Sequence, residues 1–114
     1  MHKSVPFSRV AGREFVPQAI VDRPLSYFAD ALKLPIVRGH DDFDEFEATA
    51  VELGDHLLVE LKHYAGYPPN TTTIYLPYEV TNVERITELI RFISHELGIK
   101  NSWISWQRAD DPNL

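Results

Sequence analysis

Residues 41–47, Asp41-Asp42-Phe43-Asp44-Glu45-Phe46-Glu47, place five carboxylates in seven positions and form the most conspicuous polar cluster of the chain. Carboxylates at this density could ligate a hard cation such as Ca²⁺. The run lacks the glycine that an EF-hand loop needs at its sixth position, and no bidentate Glu follows at the right offset. Asp41, Asp42 and Asp44 are therefore read as candidates for steering a cationic protein, set against a plain solvated loop running into a strand.

Five histidines offer general-base or metal chemistry, but none has a second His at the short spacings of a local ligand pair. His63 is the one of interest, because it is expected at the end of a buried sheet face, beside a turn that carries Tyr64 and Tyr67. His63, Tyr64, Tyr67 and the last strand thus outline a candidate small-molecule pocket. Trp103 and Trp106, three apart in that strand, should point to opposite faces. With Leu58 and Tyr75 on the other sheet face they complete the candidate protein-contact residues. Phosphate-binding, dinucleotide-binding, nucleophile-elbow and zinc-protease motifs do not occur, and no catalytic residue is assigned. The chain has no cysteine, so no disulfide or thiol chemistry; no cofactor and no metal are expected.

The elements that would hold these residues follow from turn chemistry and periodicity. Gly54-Asp55 reads as a two-residue hairpin turn. It pairs Leu53 with His56, Ala50 with Val59, Ala48 with Leu61, Phe46 with His63, and Glu47 with Lys62 on the other face. Aligning Leu61 with Ile74 across the next turn completes a three-stranded antiparallel meander over residues 45–80. One face then collects Phe46, Ala48, Ala50, Leu57, Val59, Leu61, Ile74, Leu76 and Tyr78. A first helix is expected over 22–34, with Asp22 as its cap and Pro24 in its first turn. A second is expected over 82–97, opened by a Thr81–Glu84 capping box and closed by Gly98. Its stripe of Val83, Ile86, Leu89, Ile90, Ile93 and Leu97 should cover the apolar sheet face. A fourth strand over 102–107 would run parallel to the third, by a right-handed crossover. Residues 1–21 read as an extended arm with at most a short strand near Phe15-Val16 or Ala19–Val21, and Asp110–Leu114 should fray.

The expected fold is one α+β domain of two layers, helices on a sheet. Charge is uneven: residues 1–38 carry a net +3 and residues 39–114 a net −9. So acidic a body repels phosphate backbones, which argues against nucleic acid as a partner. No apolar run reaches the roughly 18 residues of a membrane span, and the start lacks a secretory h-region, so a cytoplasmic location is expected. The functional expectation is a small non-catalytic binding protein, homodimeric or bound to a basic protein, of the inhibitor or immunity type. The alternative is a small-molecule or enzymatic domain using the pocket at His63, Tyr64 and Tyr67.

Overall fold

The computed structural model describes residues 2–110; residues 111–114, part of the tail expected to fray, lie outside the described residues. Helices pack on an antiparallel sheet of seven strands, a mixed α+β architecture. The strands are β1 (His2–Val5), β2 (Phe15–Val21), β3 (Val37–His40), β4 (Glu45–Leu53), β5 (Leu57–Tyr64), β6 (Thr72–Pro77) and β7 (Ile104–Gln107). Helix α1 spans Leu25–Leu32 and α2 spans Val83–Leu97. The order across the sheet is β1-β4-β5-β6-β2-β7, with β3 pairing the other half of β4.

The N-terminal arm corrects the sequence reading most. Its residues supply an edge strand, β1, and an interior strand, β2, which lies between β6 and β7 and pairs antiparallel with both. The last strand therefore keeps the direction of β6 but has β2 between them. Residues 15–21 carry Pro17, and strands with proline are usually relegated to an edge. Here a bulge between Pro17 and Ala19 absorbs the irregularity. At the bulge Gln18 is fully buried, and its amide atoms have no hydrogen-bond partner among the described residues.

The first hairpin is shifted by one residue from the expected register. Leu53 pairs with Leu57, Val51 with Val59, Thr49 with Leu61 and Glu47 with His63. The loop has three residues, Gly54-Asp55-His56, with positive φ at Gly54 (53°) and His56 (74°). A second αL residue lengthens the turn, and the slip moves the opposite face of β4 into the helix-covered core. Packing explains the choice. Val51 and Leu53 bring larger side chains to the core than Ala48 and Ala50, and both are fully buried there. Leu61 pairs with Ile74 across the second hairpin.

Helix caps also differ in detail. Asn82, not Thr81, opens α2, its side chain accepting from the Arg85 amide at 3.0 Å. Pro24 occupies the N-cap position of α1, while the Asp22 amide donates instead to the Trp103 carbonyl. Gly98 closes α2 with φ 68°. Val83 is exposed, whereas Ile86, Leu89, Ile90, Ile93 and Leu97 are buried against Leu53, Val59, Leu61 and Ile74.

The opposite sheet face has its own cover. Residues 6–14, a strap that includes a 3₁₀ turn at Phe7–Arg9, lay Val10 and the half-buried Phe7 against Val5, Ala50, Leu58 and Phe15. The small Ala48 and Ala50 fall on this side. Leu58, expected among the protein-contact residues, is thus only 7% exposed, covered by the chain's own strap. Leu53→Ala and Leu61→Ala should each cost about 2–5 kcal/mol in urea denaturation, through lost transfer energy and residual cavity. Leu58→Ala should fall in the lower part of the same range, not near zero.

Candidate functional site

The most concentrated polar chemistry lies on the strap-covered face, at the far end of β5. Alternation along β5 sends Leu58, Glu60, Lys62 and Tyr64 to that side. Glu60 and Lys62 are nearly inaccessible, and Lys62 Nζ lies 3.1 Å from Glu60 Oε2. The ammonium also sits 4.5 Å from the Phe46 ring centre, 5.1 Å from Tyr64 and 5.3 Å from Tyr75, so three π faces share in stabilising its charge. Lys62 Nζ donates to the Tyr64 hydroxyl at 3.4 Å, and that hydroxyl donates to Asp41 Oδ2 at 2.6 Å. A chain of four polar side chains thus runs from the buried floor to the β3–β4 turn.

Backbone geometry makes room for this cluster. Gly39 pairs with Phe46, and a Cβ at Gly39 would lie 2.9 Å from the tip of that ring. A side chain there would force the ring out of the position from which it faces Lys62. Above the floor a cleft of about 450 Å³ opens between residues 10–16, the end of the strap and the start of β2, on one side and His40 and Asp41 on the other.

Electrostatics follow burial. Desolvation raises the Glu60 carboxyl above its ordinary value, opposed by the Lys62 charge. The hydrogen bond from Tyr64 chiefly lowers Asp41, and amide donors at Phe43 and Asp44 add to it. Burial first, then the bond to Asp41, pushes the Tyr64 phenol upward; burial, then the neighbouring tyrosines and Glu60, does so for Tyr75.

The acidic run is a structured turn rather than a loose loop. Asp41 Oδ1 accepts from the amides of Phe43 (2.9 Å) and Asp44 (3.1 Å), an Asx-type turn. Asp44 accepts from the Glu45 amide and, across to the β5–β6 turn, from the Gly66 amide at 2.8 Å. Asp42 is exposed. Phe43 stands out 68% exposed, its ring edge-on to Tyr64 at 4.8 Å and to Tyr67 at 6.2 Å. Among the described residues no group of three or more His, Asp or Glu side chains is arranged to hold a metal ion.

The other candidate residues separate. His63 lies on the helix-side face, opposite to Tyr64, with Nε2 3.1 Å from the Pro68 carbonyl. It borders a different cleft of about 470 Å³ with Arg38, His40, Glu45 and Glu47. Tyr75 is buried in the Lys62 cluster, and Leu58 lies under the strap. Trp103 precedes β7 in a 3₁₀ turn, edge-on to Tyr27 with the Arg23 guanidinium 3.9 Å above its ring. Trp106, opposite Ile20, is 36% exposed beside an apolar groove formed with Pro17, Ile20, Tyr67 and Pro68. The sequence reading pairs Lys62 with Glu47 and assigns Glu60 no role; in the structure Lys62 stands opposite Ala48 and its charge partner is Glu60. Two opposite charges at i and i+2 of an otherwise apolar strand were the available signal, since both must face the same side.

Compared with known proteins, the chain matches no family model, no curated protein and no solved structure. Among the described residues, no helix is long and apolar enough to cross a membrane.

The pKa directions set a pH signature. A carboxyl raised by folding adds stability as pH falls through its folded value towards its ordinary value of 4.5. In urea titrations of wild type and Glu60→Gln, the stability difference should shift in favour of wild type from neutral pH down to that point. Asp41→Asn should behave oppositely: the wild-type advantage is present above the ordinary value of 3.8 and disappears as pH drops through the lowered folded one.

Proposed function

We propose that this is a small cytoplasmic, non-catalytic binding protein that docks a basic protein through the acidic turn, in the manner of an inhibitor or immunity-type protein. Phe43 carries the reading. Among the described residues it is the most exposed of the large apolar side chains, yet the Asp41 turn and the rings of Tyr64 and Tyr67 already hold it in place. An aromatic anchor ordered before docking loses little entropy on association, and such anchors dominate contact energy. Exposed Asp42 and Glu45 flank it, within a body of net −9 after residue 38. That field draws a cationic surface toward the turn and weakens as salt screens it.

A second copy of the chain is the other partner considered. Leu58 contributes to a homodimer only if the strap leaves, so self-association would use Trp106 and the open edge of β7.

The test begins with capture from a host lysate on wild type and on Phe43→Ala, followed by kinetics with the basic protein retained. Phe43→Ala should lose about tenfold or more in affinity, about 1.4 kcal/mol, with its melting temperature unchanged. Asp42→Asn with Glu45→Gln should slow association at low salt and flatten its salt dependence. Unchanged affinity and rates in both variants would remove the reading. Light scattering at micromolar concentration, on wild type and Trp106→Asp, decides the homodimer.

A further inference from the structure

The cleft above Glu60 and Lys62 has chemistry that docking through Phe43 does not use. Its volume, about 450 Å³, lies within the roughly 300–1,000 Å³ typical of small-ligand sites. Two charged side chains form its floor, buried and already paired with each other. Both signs also occur at its rim, Arg13 and Glu14 from the strap and Asp41 from the turn. Apolar walls come from Phe7 and Phe15.

Those features select a ligand by charge. The floor pair is balanced, so a ligand of net charge entering this desolvated space would leave one charge uncompensated, which is costly in a low-dielectric site. A molecule that carries both signs avoids that cost. Lys62 has three N–H donors, of which Glu60 and Tyr64 engage two, leaving a donor for a carboxylate. Glu60 and Asp41 are carboxylates able to accept more than one hydrogen bond each, and the surrounding rings favour an ammonium. An apolar side chain would rest against Phe7 and Phe15.

We propose that this cleft binds a small free amino acid with an apolar side chain, its carboxylate toward Lys62 and its ammonium toward Glu60 and Asp41. The strap forms one wall, so binding tightens residues 10–14 against the sheet. Recognition depends on both free ends of the ligand.

Calorimetric titration of the full chain at neutral pH with L-leucine and L-phenylalanine tests the idea. Saturable one-to-one binding is expected for at least one of them. The N-acetylated and C-amidated forms of the same amino acid should bind about tenfold or more weakly, because each brings a net charge into a cleft whose floor pair is already balanced. Glu60→Gln, an isostere whose amide oxygen can still accept from Lys62, should weaken the free amino acid by a similar factor, measured on protein whose circular dichroism and melting curve show that it is folded. Trp106→Ala, outside the cleft, should leave it unchanged. Absence of saturable heat with both amino acids up to about 10 mM, near the weakest affinities of interest, overturns the proposal. So does equal binding of the capped forms, or indifference to Glu60→Gln. Phe43→Ala leaves the cleft floor intact, so loss of partner docking without loss of amino-acid binding distinguishes the two sites.

Discussion

Holding the Lys62 ammonium out of water is the constraint around which the strap-side face is organised. A lone buried charge would be strongly unfavourable, and here four groups offset it: the Glu60 carboxylate and the rings of Phe46, Tyr64 and Tyr75. Each of those groups has its own requirement. Phe46 needs the space that Gly39 leaves, Tyr64 needs an acceptor for its hydroxyl, and Glu60 needs its counter-ion because burial disfavours its charge. The acceptor is Asp41, which brings the β3–β4 turn into register with the end of β5.

Asp41 consequently serves two places at once. One oxygen takes the Tyr64 hydroxyl from the buried cluster, and the other takes the amides of Phe43 and Asp44 that shape the exposed turn. The side chain that closes the polar floor is also the one that presents Phe43 outward. Mechanical continuity between cleft and turn follows from those bonds and from the shared ring of Tyr64.

A sheet covered on both sides demands more from a short chain than a sheet with one wet face. The helices use their apolar stripes on one side, and only the N-terminal 21 residues remain for the other. Those residues divide the work: β1 extends one edge, the strap covers Ala50 and Leu58, and β2 enters between β6 and β7. Insertion of β2 also separates the two strands that α2 connects, so the crossover spans an extra strand. Pro17 and the bulge beside it mark where that interior strand departs from regular pairing.

Local chemistry in the sequence was sufficient for the elements whose signals are local. The α2 stripe, its Gly98 terminus, the Leu61–Ile74 alignment and the mixed helix-and-sheet class can be read from periodicity and turn residues alone. The register of β4 could not be, because both faces of that strand are buried and alternation then favours neither; the larger Val51 and Leu53 take the helix side, and the turn accommodates them through a positive φ at His56 of which histidine gives no advance notice. The arm's conversion into β1 and β2 depends on edges offered by β4 and β6, which exist only once the sheet has formed. The Glu60–Lys62 floor is likewise tertiary. Sequence alternation puts both charges on one side of β5, but only the strap, the Phe46 ring and the Asp41 turn, from three separate parts of the chain, remove the water that would otherwise solvate them.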